Sequence, residues 1–316
     1  MLLVVAESSG SSPGRQGYKM AVAADGTLVG SIGGGVMEVN LVDQSRTILL
    51  GPGAVATGQP ASFLKPQDHR KNAPNPSGMI CSGRQTVIFR LLTPSGLDAA
   101  HRAVGSLLNN ERLFLTVTPE AVSVGPPEGG TASGGTQAAH FEFTKISDAD
   151  FIYRERLGPR NDLYIVGGGH CALALSELMS KMDFRIHIFD DRADLSTIEK
   201  NDFADEISVI DSYDVIADRI PSSPNAYVVV MTLGYQGDAV VIRNLINKNS
   251  KYFGVLGSKA KMSTLMKELK AEGLSADRLD RIRTPIGLAI NSHTPEEIAV
   301  SIAAEIIQIK NATSET

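Results

Sequence analysis

The sequence predicts an α/β protein, with an N-terminal α/β domain that carries glycine-rich loops and a C-terminal Rossmann-like, doubly wound parallel sheet. Short apolar runs alternate with helix-length segments in the second half, which is typical of a parallel sheet covered by helices. The first of these runs ends on a glycine turn at 167–169, and glycine-rich turns also separate shorter strand-like runs in the first half. We therefore expect a first domain over residues 1–150, a linker over 151–161 and a Rossmann-like domain over 162–316.

The N-terminal elements follow from local turn and periodicity signals. The chain opens on an apolar strand, and Asp25-Gly26 lies between two further strand-like runs, which is a strong hairpin signal. Proline-rich, polar composition predicts a long exposed loop over 67–78. The other expected elements are strands at 19–24, 27–31, 85–92 and 113–118, helices at 36–50 and 97–109, and a surface loop at 125–136.

The C-terminal elements have stronger periodicity. Strands are expected at 163–166, 185–189, 206–210, 226–231 and 252–256, and apolar residues at helical spacing follow the first and the last of them. The second of these helices should end at Gly273, a residue suited to a helix C-terminus. The final helix begins with Thr294, Pro295 and Glu297, which form a predicted capping box.

Composition limits the class of protein. The chain has 316 residues, 42% hydrophobic and 21% charged, with a net charge of −5, so nucleic acid is not expected as the main partner. No apolar run is long enough to span a bilayer, and the apolar start is too short and lacks the basic flank of a signal peptide. Two cysteines do not form a disulfide framework. We expect a cytoplasmic protein with no membrane partner.

The glycine turn after the first Rossmann strand is a candidate ligand site. Gly167 permits the tight turn, Gly169 allows a phosphate to approach the backbone, and Ala172 permits close packing of the helix on the strand. The helix N-terminus offers free N–H groups to an anion. The alternative is a Rossmann-shaped domain in which the turn serves packing alone.

Other candidate residues follow the ends of the same predicted sheet. Asp190 and Arg192 stand about 20 residues beyond the turn, where an acid would hold a ribose hydroxyl. His170 directly follows the glycines, and Thr232 and Asp238 follow the fourth strand. These positions favour nucleotide binding at one carboxyl edge, although a structural role is open for each.

A second glycine cluster lies in the first domain. Gly33, Gly34 and Gly35 separate a strand from a helix, and Glu38 lies in the first turn of that helix. Three glycines there predict a backbone nest for a phosphate or another oxyanion, and the guanidinium of Arg15 suits the same kind of ligand. The alternative is a plain turn, with Glu38 placed to suit the helix dipole.

The two cysteines differ in context. Cys81 lies between glycines, and with Arg84 nearby it could be a stabilised thiolate that holds sulfur or a soft metal. The alternative is a small buried apolar residue, which Cys171 resembles on the apolar face of its helix. Neither the cysteines nor the six histidines have the spacing of a zinc site, so no metal centre made by the protein alone is expected. Among the histidines, only His170 is a candidate ligand contact.

These segments together resemble the XdhC/CoxI family of accessory proteins for molybdenum hydroxylases such as xanthine dehydrogenase. The similarity covers nearly the whole chain. The final stretch is the most specific, because a Rossmann fold alone does not require PIGL followed by TPEEIA. The resemblance is carried by GSSPGRQGYKMAV, DGTLVGSIGGGVMEVNL, GMICSGR, LYIVGGGHCALAL, IFDDR, FGVLGSK and RIRTPIGLAINSHTPEEIAVSIAAEII.

The resemblance implies a two-domain, non-catalytic chaperone that binds molybdenum cofactor, protects it during sulfuration and helps insert it into an apo-hydroxylase. It implies a cysteine desulfurase as a further partner, and we expect a homo-oligomer. Cofactor would lie near Arg15, the glycines 33–35, Glu38 and Cys81, with Cys81 as a soft ligand to molybdenum. The chain departs from many family members at Val36, where they have cysteine, and at Leu233 and Tyr235, where they have histidine.

Two other functions remain open from the sequence. The first is an NAD(P)-dependent oxidoreductase that uses Gly167, Gly169 and Asp190, for which only His170 or Tyr235 is available as a proton donor. The second is an adaptor that docks partner proteins and holds no small ligand.

Overall fold

The computed structural model describes residues 1–51, 62–69, 83–109, 111–126, 140–158, 161–182 and 184–312. The chain divides into two compact units, Met1–Pro159 and Arg160–Thr316, and each is described by itself. In the parts of the chain described, we find no helix with the length and apolar character that crossing a membrane requires.

The first unit contains two antiparallel sheets and two helices. The larger sheet has the strand order β3-β2-β1-β5-β4, and the smaller has the order β7-β6-β9-β8. In chain order its elements are β1 (Leu2–Ser9), β2 (Lys19–Val22), β3 (Leu28–Gly30), α1 (Gly35–Leu50), β4 (Ser62–Asp68), β5 (Arg84–Arg90), α2 (Leu97–Leu108), β6 (Leu113–Val117), β7 (Val122–Gly125), β8 (Phe141–Ser147) and β9 (Asp150–Leu157).

The central strands of the larger sheet are buried on both faces. Leu3, Val5 and Phe89 of one face pack with Met37 and Leu41 of α1. The opposite face packs on the smaller sheet, in a cluster that includes Val4, Ile88, Val117, Phe151 and Tyr153. The central strands β1 and β5 are therefore apolar on both sides over residues 2–6 and 87–89, where the sequences are continuous hydrophobic runs rather than alternating ones.

Two predictions for the first unit are wrong in part. The loop predicted over 67–78 overlaps the end of β4, and its residues 70–78 lie outside the described residues. The linker predicted over 151–161 is occupied up to Leu157 by β9, in which Phe151 and Tyr153 are fully buried. In the loop predicted over 125–136, Gly125 ends β7 and residues 127–136 lie outside the described part.

The second unit is a parallel sheet of five strands with the order β12-β11-β10-β13-β14. The fold class predicted from sequence is confirmed. In chain order the elements are β10 (Asn161–Val166), α3 (His170–Ser180), β11 (Phe184–Asp190), α4 (Ser196–Glu199), β12 (Glu206–Val209), α5 (Ile216–Arg219), β13 (Ala226–Val230), α6 (Tyr235–Leu245), β14 (Tyr252–Val255), α7 (Lys259–Ala271), α8 (Ala276–Leu279) and α9 (Pro295–Asn311).

Helices cover both faces of this sheet. Residues of α5, α6 and α7 form one apolar cluster with it, and residues of α3 and α9 form the other. The chain reverses its direction of winding between β10 and β13, the two central strands. Such a switch point opens a crevice at the carboxyl ends of the strands, where ligands bind in open α/β sheets. The loops after β10 and β13 therefore carry the candidate residues of this unit.

The start of α9 confirms the predicted capping box. Thr294 accepts a hydrogen bond from the Glu297 backbone N–H, and the Glu297 carboxylate accepts one from the Thr294 N–H. Further along α9, Glu305 is 8% exposed and accepts hydrogen bonds from the Tyr252 hydroxyl and the Gly287 N–H at 2.6 and 2.9 Å. This carboxylate therefore fastens the PIGL segment and β14 to the last helix.

Candidate functional site

The glycine turn after β10 adopts the geometry of the nucleotide-binding fingerprint. Gly167 has a φ of 112°, and a Cβ atom there would lie 2.2 Å from the carbonyl oxygen of Met231. Only glycine fits this position, because both the backbone angle and the neighbouring strand end exclude a side chain. Ala172 is fully buried where α3 crosses the sheet. The turn is therefore built for close packing between β10, β13 and α3.

The next two glycines differ in what surrounds them. A Cβ atom at Gly168 would lie 2.8 Å from the side chain of Ile198, and Thr197 donates a 2.5 Å hydrogen bond to the Gly168 carbonyl oxygen. Helix α4 thus packs directly against Gly168. A Cβ atom at Gly169 would meet nothing within 4 Å. The open side of the turn is at Gly169, the position at which a phosphate approaches the backbone in this fingerprint.

The Asp190 carboxylate is committed within the protein. It is fully buried, and it accepts a 2.6 Å hydrogen bond from the Gly168 N–H. Arg192 donates to it from its backbone N–H, from Nε and from Nη2, at 2.9, 2.9 and 2.8 Å. Burial alone would raise the pKa of Asp190, but these hydrogen bonds hold it below its ordinary value. A ribose contact of the kind that the sequence predicts would require these bonds to be exchanged.

The loop after β13 contains a second committed carboxylate. Asp238 is 3% exposed and accepts hydrogen bonds from the backbone N–H and the hydroxyl of Thr232, at 3.1 and 2.7 Å. Burial raises the pKa of Asp238, although these hydrogen bonds and nearby Lys261 oppose the rise. Both residues were candidates for ligand contact, and in the structure they hold the loop to the start of α6.

A third carboxylate fills the glycine cluster of the first unit. One oxygen of Glu38 accepts hydrogen bonds from the Ser31 hydroxyl and from the backbone N–H groups of Ile32 and Gly34, at 2.7, 2.8 and 3.0 Å. Burial would raise the pKa of Glu38, but these donors lower it. Glu38 therefore occupies the nest that the sequence predicts for a phosphate. Helix α1 begins at Gly35, the last of the three glycines.

Gln85 joins the glycine loops of the first unit, and sequence reasoning did not single it out. It is 2% exposed; its Oε1 accepts hydrogen bonds from the Ser12 hydroxyl at 2.7 Å and the Gly14 N–H at 3.1 Å. Its Nε2 donates to the Ile32 carbonyl oxygen at 3.2 Å. The sequence offered one signal, the amide of Gln85 beside the apolar run of β5. If such an amide is buried, it must be hydrogen-bonded.

The same loops approach each other through glycines. A Cβ atom at Gly14 would lie 2.1 Å from the Ile32 carbonyl oxygen, and one at Gly33 would lie 2.4 Å from the Gly14 backbone nitrogen. A Cβ atom at Gly83 would lie 2.2 Å from the Ser12 backbone nitrogen. These glycines are therefore required for contact between the three segments.

A polar cavity of about 1060 Å³ lies beside this junction, in the first unit alone. Its wall contains amide, hydroxyl and charged side chains from β1, α1, β4, β5 and β8. Arg84 is paired with Asp68 at 3.2 Å, whereas Lys65 forms no ion pair within the described ranges. The polar residues of the wall are Glu7, Ser8, Ser9, Asn40, Gln44, Lys65, Gln67, Asp68, Arg84, Gln85, Thr86 and Lys145.

The remaining candidates are dispersed. Arg15 donates to the Gly10 carbonyl oxygen at 3.1 Å on the surface and does not line the cavity. His170 is exposed at the start of α3. Cys81 lies outside the described residues. Cys171 packs with the apolar cluster of α3 and α9, and burial raises the pKa of its thiol. Among the residues described, no group of three or more His, Cys, Asp or Glu side chains is placed to hold a metal ion.

Comparisons with known proteins identify the family. The profile of the XdhC and CoxI family matches residues 1–57, and that of the XdhC Rossmann domain matches residues 163–306. The chain belongs to the XdhC/CoxI family. Val36 and Leu233, where the sequence departs from the pattern expected of this family, are both exposed, at 55% and 80%.

Two curated proteins align with nearly the whole chain. The uncharacterized protein YqeB of Escherichia coli is 24% identical over 307 residues, which cover 97% of this chain and 43% of YqeB. The chain thus spans less than half of that relative. A probable xanthine dehydrogenase subunit of Bacillus subtilis is 24% identical over 322 residues, which cover 98% of this chain and 93% of the relative.

A solved structure shares the fold. The crystal structure of a xanthine dehydrogenase from Bacillus halodurans superposes with a TM-score of 0.76 at 24% identity, covering 99% of this chain and 92% of that one. At this level of identity the match establishes a common fold.

Proposed function

We propose that this chain is an accessory factor that binds molybdenum cofactor and assists its sulfuration and insertion into a hydroxylase of the xanthine dehydrogenase type. Membership of the XdhC/CoxI family supports the proposal, and so does the name of the relative from Bacillus subtilis. The activity, the client hydroxylase and the bound cofactor are part of the proposal.

The observation that carries the proposal is the polar cavity of the first unit. Its volume of about 1060 Å³ suits an organic cofactor, since small-molecule sites have volumes of roughly 300–1,000 Å³. Molybdenum cofactor combines a polar pterin, a phosphate and a soft dithiolene–metal head. The amides of Asn40, Gln44 and Gln67 suit the pterin edges, and the unpaired ammonium of Lys65 suits the phosphate.

The glycine cluster at 33–35 does not fit the phosphate. Glu38 already accepts from the N–H groups of Ile32 and Gly34, and a second anion beside its carboxylate would be repelled. We therefore propose that the phosphate binds on the side of the cavity that carries Lys65, and not at this glycine cluster. The glycines and Glu38, which do not line the cavity, then hold the loop before α1 rather than bind the cofactor.

Cys81 remains the proposed contact for the soft head. It precedes Gly83 by two residues in the sequence, and Gly83 packs against the Ser12 backbone. A thiolate is a suitable ligand for a soft metal and a suitable carrier of sulfur. When bound, the cofactor would supply the molybdenum centre of the client, whereas the chain's own side chains would hold and shield it.

The nicotinamide-dependent alternative is favoured by one observation, the open space at Gly169. Two others disfavour it. The acid expected at the ribose, Asp190, is saturated by Gly168 and Arg192, and the available proton donors His170 and Tyr235 are both exposed. A general acid at a hydride-transfer site needs a defined position relative to substrate. The geometry therefore supports the accessory role better.

Co-purification tests the proposal directly. The full chain is purified from a molybdenum-replete host and from a matched host that cannot make the pterin. Bound molybdenum is measured by mass spectrometry, and bound pterin by fluorescence after oxidation. We expect both from the first host and neither from the second. Absence of pterin from the replete host, with NADH or NADPH bound and oxidised by a substrate, would establish the oxidoreductase instead.

Variants locate the site. Lys65→Gln and Cys81→Ala should each lower the bound cofactor at least several-fold, whereas Arg102→Gln, an exposed cation on α2, should leave it unchanged. Unchanged loading of Lys65→Gln together with Cys81→Ala would overturn the cavity assignment. Arg15→Ala distinguishes a site at the glycine loops, near Arg15, from a site in the cavity, because Arg15 does not line the cavity. Loss of loading in Arg15→Ala alone would return the site to the glycine loops.

A further inference from the structure

A second concave surface lies in the C-terminal unit, away from the glycine turn of that unit at 167–169. It has a volume of about 800 Å³ and is formed at the amino-terminal end of β14, by the segment before β14, by α8 and by the chain that follows α8. The glycine turn, by contrast, lies at the carboxyl ends of the strands. This groove contains none of the residues discussed above for cofactor or nucleotide.

The charge of this groove is opposite to that of the whole chain. Its wall has five basic side chains and two acidic ones, whereas the chain carries a net charge of −5. The basic residues are Lys248, Lys251, Arg278, Arg281 and Arg283, and the acidic residues are Asp277 and Asp280.

The basic residues fall into two groups. Lys248 donates to the carbonyl oxygens of Ala217 and Ile220, and Arg278 donates to that of Ile246, so these two serve the fold. Lys251, Arg281 and Arg283 form no ion pair within the described part of the chain. Three unpaired cations in one concave surface repel each other, and a bound anion removes that repulsion.

The arginines stand on fixed backbone. The Arg283 N–H donates to the Phe253 carbonyl oxygen at 2.8 Å, and its carbonyl oxygen accepts from the Val255 N–H at 2.9 Å, so residue 283 is paired with β14. Ile282, between the two arginines, is 6% exposed and packs in the core. Burial of Ile282 holds Arg281 and Arg283 at the surface on either side of it. Both are exposed, and both line the groove.

We propose that this groove is a binding site for a phosphorylated small molecule, distinct from the cofactor cavity of the first unit. Paired guanidiniums recognise the oxygens of phosphate groups through bidentate, charge-assisted hydrogen bonds. The amide and hydroxyl side chains of Asn247, Ser250 and Ser275 line the same wall and supply further polar contacts. The volume suits a small organic phosphate rather than a folded partner.

Calorimetric titration of the full chain with pyrophosphate at low ionic strength tests the site. We expect saturable binding that weakens as salt is added, because the attraction is screened. Arg281→Gln/Arg283→Gln should weaken binding about tenfold or more, as expected for loss of charge-assisted hydrogen bonds. The matched control Arg219→Gln/Lys267→Gln removes the same charge from exposed positions outside the groove and should bind as the parent chain does.

Two further arms complete the experiment. Arg281→Lys/Arg283→Lys retains the charge and should recover part of the affinity, and thermal unfolding verifies that each variant is folded. An oligo-aspartate peptide serves as a second probe. No pyrophosphate binding, equal loss in the control pair, or binding of the peptide in place of pyrophosphate would each overturn the proposal.

Discussion

The backbone N–H of Gly168 donates a 2.6 Å hydrogen bond to the buried carboxylate of Asp190. Arg192 closes the other side of that carboxylate with three further hydrogen bonds. Asp190→Asn replaces one acceptor oxygen with an amide donor that faces other donors. We expect the free energy of unfolding to fall by about 2–3 kcal/mol, since hydrogen bonds to a buried charge are lost. Urea denaturation measures the change.

The same pair gives a pH dependence. The folded state holds the pKa of Asp190 below its ordinary value, so its contribution to stability is present above about pH 4 and is lost as the pH falls through the folded pKa. The stability difference between the parent chain and Asp190→Asn should therefore shrink on acidification below about pH 4. A difference that stays constant with pH would contradict this account.

Asp238 should behave in the opposite way. Its pKa is raised by burial, so its ionised form is less favourable in the folded state than in the unfolded one. Asp238→Asn keeps an acceptor oxygen for Thr232 and removes the buried charge. We expect equal or greater stability at neutral pH, with the advantage of the variant lost as the pH falls through the folded pKa. Thermal unfolding of both chains across the acid range measures this.

Gln85 should be essential to the loops of the first unit. Gln85→Leu leaves the Ser12 hydroxyl, the Gly14 N–H and the Ile32 carbonyl oxygen without their partner. Each buried group left unpaired costs about 1–3 kcal/mol, so for the three groups we expect a loss of about 3 kcal/mol or more in denaturant unfolding. Gln44→Leu, on the half-buried face of α1, is the control and should change stability by less than about 1 kcal/mol.

Removal of Glu38 should create an anion site. Glu38→Ala frees the Ser31 hydroxyl and the N–H groups of Ile32 and Gly34, and we expect a loss of about 1–2 kcal/mol. Sulfate should bind the freed donors and restore part of the melting temperature through linkage. Glu38→Gln keeps an acceptor oxygen and should show no added response to sulfate. An equal response in all three chains would point to a general salt effect.

Two glycines of the turn after β10 have different roles: Gly167 is needed for packing, and Gly169 leaves space for a ligand. Gly167→Ala should destabilise the second unit strongly, because its Cβ would lie 2.2 Å from the Met231 oxygen at a positive φ. Gly169→Ala should leave stability within about 0.5 kcal/mol, since its Cβ meets open space. If a phosphate binds at this turn, Gly169→Ala should still weaken its binding, because the added methyl group occupies the space at the turn. Melting curves and nucleotide titrations of both variants make the comparison.

The sequence predicted the second unit more accurately than the first, for a physical reason. Strands buried on both faces, such as β13, are continuous apolar runs that leave little ambiguity. No strand was predicted at β4, which contains Pro66; β4 is the edge strand of its sheet, where a missing N–H is tolerated. In β9 the charges of Arg154, Glu155 and Arg156 obscured the alternation that buries Phe151 and Tyr153.

The candidate site was predicted in part. The glycine turns were located correctly because a tight turn requires glycine locally. The roles of the neighbouring acids could not be predicted from the sequence, because Asp190 and Glu38 bind partners that only folding brings to them. The cavity around Lys65 was missed for the same reason, because its wall combines β1, α1, β4, β5 and β8 and no single segment contains the pattern.

Internal carboxylates at the glycine loops also affect how a ligand can leave. Glu38, Asp190 and Asp238 satisfy donors of these loops from within the chain. The loops therefore keep these particular hydrogen bonds whether or not a neighbouring site is filled. If the chain is the carrier proposed above, release of its ligand leaves these hydrogen bonds in place. Transfer to a recipient would then depend on the relative affinities of the two proteins, without the conformational cost that coupled folding would add.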